Sequence, residues 1–142
     1  MPFLVQWKGQ LPANRVYENP VISLDIFATA AALSNVQLDK RRFYDGVNLI
    51  PYLKGEKISR PHNTLFWRID KRSAIRVGDW KLLLNPRLGQ GDQWELYNFT
   101  EDISEVNDLV AYLSEKRSEM IATWEAINRQ VIDPVWSPNS RR

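Results

Sequence analysis

Hydrophobic and polar positions along the chain fall into two regimes. From Pro20 to Asn35, "PVISLDIFATAAALSN", the residues Ile22, Ile26, Phe27, Ala30 and Leu33 recur at spacings of three and four. That spacing predicts a helix with one apolar face, starting near Pro20 or Ser23 and ending near Asn35. Ahead of it, Phe3, Leu4 and Val5 form a short apolar run that ends at Trp7 and is punctuated by Gly9 and Pro12, the pattern of a buried strand. A strand followed at once by such a helix is half of a parallel βα unit. By itself that strand would have no parallel partner, so the chain reads as a piece of something longer.

From Thr64 onward the texture changes. "TLFWRI" (Thr64 to Ile69), "SAIRV" (Ser73 to Val77), "WKLLL" (Trp80 to Leu84) and "WELYNF" (Trp94 to Phe99) are short β-type runs with turns between them, which predicts an antiparallel meander. A tight hairpin around Gly78-Asp79 would set Val77 opposite Trp80 and Ile75 opposite Leu82. The same register puts Arg76 directly across from Lys81, where like charges destabilise a sheet. Three resolutions are open: solvation, an acid such as Glu95 on the neighbouring strand, or an anionic ligand.

Between these regimes, Val36 to Pro61 is a connector with a turn at Asp45-Gly46 and a helical turn in "LIPYLKGE". After Phe99, Thr100 or Asp102 is a candidate helix cap. Val106, Leu109, Val110 and Leu113, then Met120, Ile121, Trp124, Ile127 and Val131, keep helical spacing. One long amphipathic helix, or two nearly continuous ones broken around Ser114, is expected to cover one sheet face and end before Pro134. The class is therefore α+β, with residues 1–61 forming one part and residues 62–142 a small sheet-and-helix subdomain.

Composition narrows the function. The chain has 142 residues, 44% hydrophobic and 25% charged, the balance of an ordinary globular domain. A net charge of +2, with Lys40-Arg41-Arg42 and Arg141-Arg142 short and far apart, argues against nucleic acid as a partner. The basic triplet reads as solvated surface. No apolar run approaches the length of a membrane span, and the first residues lack the basic leader and apolar core of a secretory signal. With no cysteine, the chain has no disulfide, thiolate metal site or cysteine nucleophile.

His62 is the only histidine, and one histidine makes neither a metal cluster nor a complete acid/base pair. Glu101-Asp102 is explained by the dipole of a following helix, and no phosphate-cradling glycine pattern is present. Six tryptophans raise the idea of a sugar-binding platform, but Trp80, Trp94 and Trp124 sit at positions that alternation or helical spacing assigns to a core. Asn98-Phe99-Thr100 is a glycosylation sequon, which matters only in a secreted eukaryotic protein.

Taken in order, these segments resemble the C-terminal portion of the sulfatases, in the alkaline-phosphatase-like superfamily. "PFLVQWKG" is similar to that family's strand ending in Trp-Pro-Gly, and "SLDIFATAAAL" to its Asp-containing helix. "YDGVNLIPYLKG" resembles the Asp-Gly-x-x-Leu-x-Pro-x-Leu-x-Gly connector, while "HNTLFWR", "AIRVGDWKLLL" and "WELYNFTEDISEVNDL" resemble the small C-terminal sheet and its exit. "MIATWEAINRQ" is similar to the closing helix. Lys8, Ala28 and Ile103 stand where the family often has proline.

The resemblance implies the last strand and helix of a large α/β domain, followed by a small antiparallel sheet packed with a C-terminal helix. It implies that a complete sulfatase carries formylglycine, made from Cys or Ser in a Cys/Ser-x-Pro-x-Arg motif, and a divalent cation, calcium. Both would belong to an N-terminal part, since no such motif occurs in this sequence. This chain by itself is then expected to lack activity, with no catalytic residue and no metal ligand of its own. The implied partners are an N-terminal sulfatase domain, or a second copy through the exposed strand, with no nucleic acid and no membrane. By position, the loop from Asn85 to Asp92 is the candidate wall of a substrate cleft, with Arg87 best suited to an anionic substrate and Asn85, His62 and Arg68 as further candidates. A rival reading is a stand-alone binding module, for carbohydrate or protein, derived from the same fold.

Overall fold

The structure, a computed structural model, describes residues 3–86 and 93–133. It divides into two compact units, Met1–His62 and Asn63–Arg142.

In the first unit the helix α1 spans Leu24–Leu33 and a single helical turn α2 spans Ile50–Leu53, with Pro51 in its first turn, where a missing N–H costs nothing. The expected strand from Phe3 to Trp7 is absent. A ladder needs a neighbouring backbone, and none of the described strands pairs with this run. Instead the Trp7 carbonyl accepts from the amides of Gln10 and Leu11, both at 3.0 Å, in a turn built on Gly9 at φ 77. The connector is pinned under the start of α1: a Cβ on Gly46 would collide with the Leu24 carbonyl, so the Asp45-Gly46 turn tolerates only glycine at that point.

The second unit is a four-stranded antiparallel meander, β1 (Thr64–Ile69), β2 (Arg72–Val77), β3 (Trp80–Leu84) and β4 (Trp94–Asn98), in spatial order β1-β2-β3-β4, with the helix α3 (Ser114–Asn128) after it. The β2–β3 register pairs Val77 with Trp80, Ile75 with Leu82 and Arg76 with Lys81, as the alternation predicts. Gly78 supplies the positive φ, 60°, that a two-residue hairpin needs at its first turn position. Ile75, Leu82, Leu96 and Met120 form the buried core, with Val77, Trp80, Trp94, Leu109, Val110, Ile121, Trp124 and Ile127 packed around them. Trp94 and Trp124 meet edge to face, 5.1 Å between ring centroids. The Trp124 indole donates to Ser73 Oγ at 2.6 Å, and that hydroxyl donates on to the Trp67 carbonyl at 2.9 Å, so the buried serine is satisfied on both sides.

Helix α3 is shorter than the spacing of apolar positions predicts, because residues 100–113 are drawn away to cover the open edge of β4. The Leu96 carbonyl accepts from the Leu109 amide at 2.8 Å, and the Leu96 amide donates to Asp108 Oδ1 at 2.9 Å. An edge strand left with unpaired groups is a liability that this covering removes. Asp102 does act as a cap, of a turn and not of a helix: its Oδ2 accepts from the amides of Val106 and Asn107 at 2.8 and 2.7 Å, which holds its carboxyl below the usual range.

The like-charge pair is settled inside this unit. Lys81 Nζ lies 2.6 and 2.7 Å from the two carboxylate oxygens of Glu105, which sits on the covering segment at a positive φ of 55°. Arg76 donates to the Gly78 carbonyl at 2.9 Å and lies 3.7 Å from Asp79. The ring of Phe99 lies close to both cations, 4.8 Å from the guanidinium and 5.8 Å from the ammonium. Glu95, the acid expected on the neighbouring strand, accepts from the Tyr97 hydroxyl at 2.9 Å.

Replacing Lys81 with Glu should therefore set two carboxylates against one another and destabilise the sheet by about 1 kcal/mol. The double exchange Lys81→Glu with Glu105→Lys should recover most of the loss. Urea unfolding followed by tryptophan fluorescence checks both, and an equal loss in single and double variants would show that the pair does not hold this segment.

Candidate functional site

Within the first unit one constellation joins distant segments. Asp25, at the start of α1, is wholly buried, and its carboxylate accepts from three sides. Oδ2 takes the Ile22 amide at 2.9 Å, Oδ1 takes the Val47 amide at 2.8 Å, and His62 Nε2 approaches both oxygens, at 2.8 and 3.0 Å. One turn further on, Thr29 Oγ1 accepts from the Leu49 amide at 3.0 Å and reaches the Val47 carbonyl at 3.5 Å. Asp25 and Thr29 are four apart, hence on one side of the helix, and together they stitch the connector to α1.

An imidazole held by a carboxylate is also the orienting half of a nucleophilic triad. Asp25 also takes the Ile22 and Val47 backbone amides, which makes this carboxylate a structural hub for α1 and the connector. No buried side-chain nitrogen or oxygen is left without a partner among the described residues. Nor do those residues include a group of three or more His, Cys, Asp or Glu placed to hold a metal ion.

The residues proposed from sequence as substrate contacts are spread over both units. His62 belongs to the first, with its imidazole against Asp25. Arg68 and Asn85 belong to the second. Arg68 and Leu84 lie in one row across the sheet with Ser73 between them, which places Arg68 and Asn85 at the same end of the sheet, about 10 Å apart at two strand spacings. Arg68 donates to Asn128 Oδ1 at 2.6 Å and to the Ile132 carbonyl, tying β1 to the end of α3. The Asn85 amide donates to the Gln93 carbonyl at 3.1 Å and closes the base of the loop. Arg87 lies outside the described residues. In the basic triplet, Arg41 is paired twice to Asp39, at 2.9 and 3.0 Å, and the exposed pair holds the carboxyl of Asp39 below its usual range.

Two groups escape a reading by spacing. Asp25 is a lone acid inside an otherwise apolar helical stretch, a signal of a buried polar role. Tyr97 lies on the sheet face opposite the core, and burial, aided by the hydrogen bond to Glu95 and its charge, pushes its phenol well above the usual range. It stays a neutral donor to that carboxylate.

No protein-family model matches the chain. It is 34% identical over 67 residues to the uncharacterized sulfatase YdeN of Escherichia coli, and 36% identical over 66 residues to the steryl-sulfatase of Mus musculus. Each match covers 46% of this chain and only 12% and 11% of the two relatives, respectively, so the chain spans a small part of their length. The solved structure of Ps i-CgsB matches 94% of this chain and 30% of its own, with a TM-score of 0.77 and 27% identity. By sequence, then, this chain is similar to sulfatases over about half of its length, and the part of them that it resembles is their C-terminal portion.

Proposed function

We propose that this chain is the C-terminal segment of a sulfatase, an enzyme that hydrolyses sulfate esters, and that it supplies structure and one wall of the substrate cleft while the reacting groups lie outside it. The likeness in sequence to YdeN and to the steryl-sulfatase over 46% of the chain is the observation that carries this reading. Chemistry agrees with it. Sulfate-ester cleavage calls for a nucleophile to attack sulfur and a cation to take up charge on the sulfate oxygens. The sequence has no cysteine and no Ser-x-Pro-x-Arg run from which a formylglycine could form. In this reading the formylglycine and the calcium ion belong to an N-terminal part, which is the partner of this chain. By its place in the sequence, the stretch between Asn85 and Gln93 is the candidate wall, and Arg87 in it is the candidate contact for an anionic substrate, since a guanidinium matches the oxygens of a sulfate.

The test is hydrolysis of a chromogenic aryl sulfate by this chain alone, beside the same chain extended upstream in its own genomic reading frame. Activity is expected only in the extended chain. Inactivity of both would favour the stand-alone binding module. Activity of the short chain that survives repurification would overturn the proposal, because no nucleophile suited to the reaction has been identified in it.

A further inference from the structure

The sheet of the second unit finishes one of its edges and not the other. In β4 the backbone groups of Leu96 point away from β3, and the chain returns to bond both of them, through the Leu109 amide and Asp108. In β1 the ladder with β2 turns the backbone groups of Leu65, Trp67 and Ile69 inward, in phase with Asn63, whose carbonyl accepts from the Gly78 amide at 2.9 Å. Successive residues of an antiparallel strand alternate between facing the partner strand and facing away from it. The N–H and C=O groups of Thr64, Phe66 and Arg68 therefore point to the open edge, and none of the described residues bonds them. The strand has no lysine or proline, which are common protections of such an edge, and its one charge, Arg68, is held by Asn128 and the Ile132 carbonyl. Trp67 and Ile69, on the sheet face away from α3, are 46% and 69% exposed.

We propose that β1 pairs with β1 of a second copy of this chain, antiparallel across a two-fold axis at Phe66, so that two four-stranded sheets join into one. The strand differs from Phe3 to Trp7, the one that the sequence marks for this role. The register follows from which groups point outward. Centred on Phe66, that residue pairs with its own copy and Thr64 pairs with the partner's Arg68, so all three outward residues are bonded. An axis at Leu65 leaves Arg68 beyond the partner strand, and one at Trp67 leaves Thr64 beyond it. The same register sets Trp67 against the partner's Leu65, apolar on apolar, and opposes no like charges. A second copy brings an edge that is already ordered, so pairing costs less conformational freedom than capture of a flexible peptide. Because the β4 edge of each copy is covered, assembly stops at two.

Sedimentation and amide hydrogen exchange of the 142-residue chain over a range of concentrations test it. A dimer should form as concentration rises, and in it the Thr64, Phe66 and Arg68 amides should exchange about tenfold or more slowly than in the single chain. The Leu65 and Trp67 amides, already facing β2, should change less. Thr64→Lys sets a like charge against the partner's Arg68 at two symmetric places and should weaken the dimer about tenfold, whereas Thr64→Glu should tighten it by a similar factor. Both variants put a long side chain in place of a β-branched one, so the difference between them reports the charge. Slow exchange at the Ile75 and Leu82 amides in the core shows that each variant still folds. A chain that stays single at every concentration would overturn the proposal, and so would a dimer that responds alike to the two variants. Slow exchange of the three outward amides whatever the concentration would mean that the chain covers its own edge, and growth past two copies would mean that a further edge is open; either result also overturns it.

Discussion

Asp25→Ala is expected to dismantle the first unit. The substitution leaves the Ile22 amide, the Val47 amide and the His62 imidazole without the acceptor that all three share. Each buried donor stranded in this way costs about 1–3 kcal/mol. The sum, more than about 3 kcal/mol, meets a unit whose buried apolar residues, among those described, are two alanines and a leucine. Little hydrophobic burial is available to absorb that loss. Asp25→Asn keeps the shape and one acceptor oxygen but turns an NH2 group towards a donor, so it should fall between wild type and alanine. His62→Ala removes one of the three partners and should cost about 1–2 kcal/mol. Exchange rates of the amides from Leu24 to Leu53, read against those of β3 in the same sample, separate loss of the first unit from general unfolding. If α1 in Asp25→Ala exchanges as slowly as in wild type, the carboxylate is not the hub described above.

The second large effect belongs to the sheet. Leu82 sits mid-way along β3 with Ile75 and Leu96 as its cross-strand partners, and all three are fully buried. With β strands on both sides and Met120 in the same core, the surroundings of Leu82 have little freedom to collapse into a void. Leu82→Ala should therefore destabilise the second unit by about 3–4 kcal/mol. Leu83, its neighbour on the opposite sheet face, is only half-buried, so Leu83→Ala should cost about 1 kcal/mol. Urea unfolding followed by tryptophan fluorescence suits both, since Trp80, Trp94 and Trp124 pack against this core. Equal losses at the two positions would mean a register shifted by one residue, because such a shift exchanges the faces.

The meander was legible in the sequence almost to the residue. Thr64–Ile69 and Trp80–Leu84 are the strands that the alternation marks, and the Arg76–Lys81 pairing follows from the two-residue turn at Gly78-Asp79. Hairpin partners are near neighbours along the chain, so turn length and side-chain alternation together define the register. Helix α1 was legible for a similar reason, since a spacing of three and four describes the helix whichever side is covered. The same spacing misjudged Val106 to Leu113, where repeated apolar residues serve a segment that lines the edge of β4. It also misjudged Phe3 to Trp7, an apolar run that no described strand accompanies.

For the candidate site, the lone histidine and the basic residues of the sheet could be named from sequence, but not their partners. His62 is held by an acid 37 residues earlier, Lys81 by an acid 24 residues later, and Arg68 by a side chain 60 residues later. Periodicity records which residues share a side of an element, and in α1 it could not tell that Ile26, Phe27 and Leu33 stay about half exposed while Asp25 is buried. Local pattern thus settled the elements and the hairpin register, because those depend on residues within a few positions of each other. The burial of Asp25 and the countercharge for Lys81 were decided only when the chain closed on itself, because each depends on residues that the nearby sequence does not contain.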